Sequence, residues 1–174
     1  MSKQTKQKIA QIFKQQVEQK GFEHVSVAQL MHQAQMRRQS FYDHFEDKYD
    51  LLTWTLKTMM QDDIENNLDY LPWQEIITLV FFDIQENANF YRSILQSQTE
   101  VDVVKELAWH FQVLLLHVLK QKGFVKEAKA YDLIETYSLG LTYTMTNVLF
   151  SPSAKEYDEL AQKVINALEF ALRT

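Results

Sequence analysis

The chain has no cysteine, and only three glycines and two prolines among 174 residues. Without cysteine there are no disulfides, no thiolate chemistry and no Cys-ligated zinc. Scarce glycine and proline remove the residues that tight hairpins and sheet corners need. Long helices joined by short polar corners remain, so the expected class is all-α. No apolar run approaches the roughly 18 residues of a membrane-spanning helix. The opening MSKQTKQKIAQIF has no apolar signal core, so a soluble cytoplasmic chain without membrane contact is expected. A glycine-rich phosphate loop, an H-E-x-x-H pair and a nucleophile elbow are also missing. Of the polar residues in the middle of the chain, His110, His117 and Glu135 form no metal-ligand set or acid–base pair by spacing. No catalysis, metal or cofactor is expected.

What is present is unevenly distributed. The net charge is -5, yet residues 1–48 carry +3 and residues 49–174 carry -8. A basic head on an acidic body suits a polyanion contacted by one end, although chance asymmetry in a soluble protein gives the same numbers.

Apolar spacing predicts a first helix over Thr5–Lys20, with Ile9, Phe13 and Val17 on one stripe and Gly21 as its stop. Ser26 opens a second helix, where its side chain can accept from the amide of Gln29 and the Gln29 side chain can reach back. Val27, Leu30, Met31 and Ala34 form its apolar face. After a corner at Gln35–Met36, a third short helix carries RRQSFYDHF, with Phe41 and Phe45 pointing inward. A longer helix is predicted from Asp47 to Leu68, and Pro72 begins another with Ile76, Val80, Phe81 and Ile84 buried. A short element with Phe90, Tyr91, Ile94 and Leu95 precedes a helix over Val101–Gln121 that is apolar nearly all round, which suits the middle of a bundle. The last two helices are predicted over Val125–Phe150 and from Ser151–Pro152 onward; Ser153 with Glu156, or Ser151 with Pro152, would open the latter.

Three short helices around Phe13, Val17, Leu30, Phe41 and Phe45 make a compact unit able to hold the third helix rigid in a DNA major groove. Its first turn presents Arg37, Arg38, Gln39 and Ser40. Arg can donate twice to guanine, and Gln pairs similarly with adenine. Consecutive helical positions fan apart, so Arg38 and Gln39 are assigned to base edges and Arg37 to the neighbouring backbone. Tyr42, His44, Lys48 and Ser26 are assigned to phosphates, which supply salt-dependent affinity while base contacts choose the sequence. Two arginines on a surface helix are also commonplace, and trihelical patterns occur in protein-interaction modules without DNA affinity. That alternative stays open.

Several motifs go further. The F-x-x-x-V-x-x-x-G-F first helix (Phe13, Val17, Gly21, Phe22), the V-S-V-A-Q-L second helix, the S-F-Y-x-H-F block at Ser40–Phe45 and E-D-K-Y-D-L-L at Glu46–Leu52 closely resemble the DNA-binding domain of the TetR family of transcription regulators. The resemblance implies a nine-helix regulator with a helix-turn-helix domain over residues 1–50 and a helical dimerisation and regulatory domain over 51–174. It puts Arg37–Ser40 and Tyr42 on the recognition helix and His44 and Lys48 on the DNA backbone. One departure is Gln35, where the family usually has glycine; either an ordinary helical corner or strain of roughly 1 kcal/mol is expected there. MRRQSFYDHF and the YLPWQ around Pro72–Gln74 resemble, more narrowly, the DhaS-like branch that regulates dihydroxyacetone kinase operons. That likeness implies an activator working with a metabolite-sensing partner protein.

The resemblance further implies a homodimer joined through the last two helices, reading a palindromic operator with half-sites about 34 Å apart. The expected interface residues are Leu133, Tyr137, Gly140, Leu141, Met145, Val148, Leu160, Val164 and Leu168. The same apolar faces could instead close each monomer's own core. Many relatives bind a small effector between the middle helices, and Tyr91, Trp109, Phe111, Tyr137 and Tyr143 are the candidate lining. Aromatic residues at helical spacing are also ordinary core. The input is therefore a small-molecule effector or a coactivator protein.

Overall fold

The computed structural model describes residues 3–97, 100–124, 128–150 and 156–172. Among these there are nine α-helices and no strand: α1 (Lys3–Lys20), α2 (Val27–Gln33), α3 (Gln39–Tyr42), α4 (Lys48–Asp63), α5 (Trp73–Glu86), α6 (Ala88–Gln96), α7 (Val103–Gln121), α8 (Ala128–Val148) and α9 (Glu156–Ala171). Short 3-10 turns at Phe22–His24 and Glu65–Asn67 follow α1 and α4. The helix expected to end at Leu68 therefore closes at Asp63 and tightens into a 3-10 turn. The capping residues expected at Ser151–Ser153 lie outside the described residues. No described helix is long and apolar enough to cross a membrane.

The chain divides into two compact units. Residues 1–56 and 89–103 form the first, and 57–88 with 104–174 the second. Whereas the sequence suggests a boundary at residue 50, the first unit takes in the start of α4 and nearly all of α6.

In the first unit the stripe of Ile9, Phe13 and Val17 is buried together with Phe22, Leu30, Met31, Phe41 and Phe45. The Phe13 ring meets Phe22 edge-on at 6.1 Å and Phe90 of α6 at 6.4 Å. The Phe22 amide donates to Ser93 Oγ at 3.0 Å, a second tie from α6. Gly21 has φ 86 and ψ 149, a conformation essentially confined to glycine, and this turns the chain sharply after α1.

In the second unit Ile76, Ile77, Val80, Phe81 and Ile84 of α5, Leu107, Phe111, Leu114 and Leu115 of α7, and Met145 of α8 are buried. α9 packs chiefly along α5 and also touches α8, and Gln74 Nε2 donates to Glu169 Oε1 at 3.2 Å. The residues expected at the interface divide by burial within this unit. Leu141, Met145, Val148, Val164 and Leu168 are buried within this unit, Met145 and Leu168 almost completely. Leu133 and Leu160 are half-buried, and only Tyr137 and Gly140 of that set are exposed. Both α8 and α9 have apolar side chains on more than one side, and the richer side closes the chain's own core.

Candidate nucleic-acid interface

The corner before the third helix is built by local bonds. Ser26 Oγ accepts from the Gln29 amide at 3.3 Å and caps α2. The reciprocal half of the expected capping box is absent, because Gln29 Oε1 accepts from Lys20 Nζ instead. At the other end of α2, Met36 N donates to Met31 O and Gln35 N to His32 O. This bond pair closes a helix around a left-handed residue. That residue is Gln35, with φ 56, the one non-glycine at positive φ among the described residues. Of the two expectations for Gln35, the strained one holds. Lys8 Nζ reaches across from α1 to Ala34 O at 2.9 Å and answers a further carbonyl at this helix end.

The third helix is shorter than the sequence suggests, a single turn over Gln39–Tyr42. Phe41 and Phe45 are buried, their ring centroids 5.5 Å apart. Trp54 of α4 meets Phe45 at 5.8 Å, and Lys6 Nζ lies 5.0 Å from the Phe45 ring centroid. The buried rings fix the turn from behind while Arg37, Arg38, Gln39 and Tyr42 stand exposed, with Ser40 and His44 half-buried. Arg38 Nη2 donates to Tyr42 Oη at 3.1 Å, and its guanidinium lies over that ring. These residues form one exposed polar edge with two guanidinium groups. Ser26 is also exposed.

Lys48, at the start of α4, is half-buried. Its Nζ donates to the carbonyls of Glu23 at 3.1 Å, Phe22 at 3.3 Å and Val25 at 3.5 Å. It also lies 4.7 Å from the Phe22 ring centroid and 5.7 Å from that of Tyr49. Burial lowers the Lys48 pKa, partly opposed by the nearby Glu23 carboxylate. The ammonium thus spends its donors on backbone carbonyls. Sequence reading missed this because the acceptors lie some 25 residues away. The acidic start of α4, by contrast, behaves as expected: Asp47 Oδ1 accepts from the amides of Tyr49 and Asp50.

The five aromatic residues expected to line an effector pocket differ in exposure. Tyr91 and Phe111 are fully buried, whereas Trp109, Tyr137 and Tyr143 open to solvent, Tyr143 to 67%. Tyr91 belongs to the first compact unit and the other four to the second. His110 is buried, its Nδ1 2.6 Å from Glu65 Oε1. It also borders a shallow cleft of about 300 Å³ with Lys57, Lys105 and Trp109.

A phenylalanine-backed short helix presenting arginine and glutamine, preceded by a capped helix and a tight corner, defines a helix-turn-helix protein. The sequence pattern of the bacterial regulatory proteins of the tetR family matches residues 14–53. That of a transcriptional regulator C-terminal region assigned to TetR proteins matches residues 72–170. The chain belongs to the TetR family. It is 33% identical over 128 residues to the HTH-type dhaKLM operon transcriptional activator DhaS of Lactococcus lactis subsp. lactis (strain IL1403). That alignment takes in 74% of this chain and spans 65% of the length of the relative. Among solved structures, the dihydroxyacetone kinase operon activator DhaS has the same fold, with TM-score 0.78 and 21% identity, covering 97% of this chain and 98% of that one. The fatty acid degradation regulator FadR from Bacillus halodurans shares it at TM-score 0.64 and 17% identity, covering 94% and 96%.

Proposed function

We propose that this chain is a sequence-specific transcription regulator that acts in the cytoplasm as a homodimer on double-stranded DNA. Arg38 and Gln39 read base edges, Arg37 lies nearer the backbone, and Ser26, Ser40, Tyr42 and His44 contact the surrounding phosphates and sugars. The observation that carries this reading is the exposed Arg37–Gln39 turn, whose opposite side is sealed by Phe41 and Phe45. A rigid backing keeps the polar turn in one geometry, which groove reading requires.

The second copy docks on the outward side of α8, where Tyr137, Leu139, Gly140 and Tyr143 are exposed. Two-fold symmetry there pairs the reading turns and calls for a palindromic operator. The likeness to the Lactococcus activator makes dihydroxyacetone kinase genes the proposed target and activation the proposed direction. A partner protein is favoured over a small effector as the input, because Trp109, Tyr137 and Tyr143 open to solvent.

The test is binding to the promoter of the adjacent operon, across a set of single-base operator variants. Arg38→Ala and Gln39→Ala each relax discrimination at one position, by about 1–3 kcal/mol for a bidentate contact. Binding that is indifferent to both changes, or absent at low salt, removes the reading and leaves a helical interaction module.

A further inference from the structure

Arg37 and Arg38 are neighbours in sequence and both are exposed, but they are not held alike. Arg38 Nη2 donates to Tyr42 Oη at 3.1 Å, and the guanidinium carbon lies 5.7 Å from the centroid of the Tyr42 ring. Residues one helical turn apart share a face, so this pairing follows from their spacing. The Tyr42 ring is fixed in its turn by the buried Phe41, which it meets edge-on with centroids 5.4 Å apart. A chain of contacts thus runs from the core through Tyr42 to Arg38. Among the described residues no side-chain partner holds the Arg37 guanidinium. A free arginine gives up rotamer freedom when it docks, whereas a tethered one has already lost part of it. The bond to Tyr42 uses one N–H of the guanidinium fork and leaves others for the paired acceptors of guanine. The Tyr42 hydroxyl, accepting from a cation, keeps its own proton and becomes a stronger donor.

We propose that Tyr42 is a positioning residue for base reading: it holds the Arg38 guanidinium toward the base edge while its own hydroxyl donates to a phosphate of the same half-site. One hydroxyl then couples register on the DNA backbone to the reading of a base. Arg38 reads in preference to Arg37 because its guanidinium is held before DNA arrives. This inference rests on the proposed DNA-binding role and adds to the phosphate contact of Tyr42, but its first test needs no DNA. Tyr42→Phe removes the hydroxyl and keeps the ring against Phe41, so the unit stays folded. NMR relaxation at the Nε of both arginines shows Arg38 as the more ordered of the two in the wild type, and in Tyr42→Phe its order falls toward that of Arg37. Equal mobility of the two arginines in the wild type overturns the proposal.

The second test compares affinities across single-base operator variants. Tyr42→Phe lowers affinity overall and also cuts discrimination by about threefold or more at the position that Arg38→Ala identifies. Discrimination at the position read by Gln39 is unchanged. In an Arg38→Ala background the same substitution lowers affinity by one common factor for every operator, because only the phosphate contact is left to lose. Should Tyr42→Phe weaken every operator alike with Arg38 in place, the coupling is overturned and Tyr42 is a phosphate ligand alone. Failure of the wild-type protein to bind any operator would sink the functional reading alone, and the relaxation measurement would still decide whether Tyr42 holds Arg38.

Discussion

The two compact units differ in the charged groups they bury. In the first, Lys8, Ser26, Asp47 and Lys48 sit at helix or turn ends and answer backbone groups that would otherwise lack partners. The second answers helix ends too, through Asn67 on the carbonyls of Asp62 and Asp63 and Asn87 on that of Asp83, but it also buries charged groups. His110 and Glu65 are paired there, but Glu65 Oε2 and Asp63 Oδ2 are buried with no hydrogen-bond partner among the described residues. Burial first, then the charges of Asp83 and Asp62, raise the Asp63 pKa to about 7. The same chemistry stabilises where it satisfies a helix end at the surface and costs where it is desolvated. Both units are built on apolar cores, and the second differs in carrying unpartnered carboxylate oxygens within its packing, a polar fault.

The largest effect is expected where the second unit turns an apolar side outward. A Cβ built at Gly140 meets nothing within 4 Å, so Gly140→Arg leaves the subunit folded and even removes a glycine from a helix interior, worth about 1 kcal/mol. Placed on the proposed dimer face, it converts the dimer to monomers in equilibrium sedimentation. Operator affinity then falls by a factor of about 100 or more through lost bivalency. Met145→Ala, on the buried side of the same helix, does the reverse: the dimer mass persists at low temperature while unfolding stability drops by about 2–5 kcal/mol. If both variants remain dimeric and Gly140→Arg binds operator normally, the outward side of α8 is not the interface.

A smaller effect tests the polar fault. An acid whose pKa is raised in the folded state is stabilising to bury only while protonated. Its contribution is intact below the ordinary value of 3.8 and is lost as pH climbs toward about 7. The shift corresponds to about 4 kcal/mol undiluted, and partial solvent access reduces this to about 2. Asp63→Asn therefore raises stability at pH 8 and flattens the decline between pH 4 and 7, read from urea midpoints. A variant no more stable than wild type at pH 8 would show that Asp63 is adequately solvated.

How much of this was legible in the chain follows the same division. Ser26, Gly21, Asp47 and the Phe41–Phe45 pair announce themselves because caps, stops and i,i+4 pairs are local. So do the exposed Arg37, Arg38 and Gln39, since their neighbours fix which way the turn faces. The carbonyl partners of Lys48 were not legible because they are brought to it only by folding. The sequence did not separate core from interface on α8, because Leu141, Met145 and Val148 compete there with Leu139 and Tyr143. Periodicity finds both sides but does not say which one the chain keeps for itself. The aromatic set divides likewise: Phe111 and Trp109 are two positions apart on α7, and one is buried while the other is exposed.

The smallest effect belongs to the corner of the first unit, and it sharpens the idea that local bonds set that unit's geometry. Gln35 is held at φ 56 by the two bonds that close α2 and by Lys8 on Ala34 O. A left-handed conformation costs a residue with a Cβ about 1–2 kcal/mol. Glycine escapes that cost but forfeits about 0.5–1 kcal/mol through the greater freedom of its unfolded chain. Gln35→Gly is then stabilising by somewhat under about 1 kcal/mol, a rise in Tm of about 2 °C for a chain of this length. Asn, which tolerates this region better than most residues, falls between Gly and Gln, while a β-branched Val falls below the wild type. Because the corner keeps its shape in the Gly and Asn variants, their operator affinity matches wild type. A Tm that drops with Gly, or an order in which Val exceeds Asn, means the corner relaxes out of the left-handed region and that its closing bonds do not dictate its geometry.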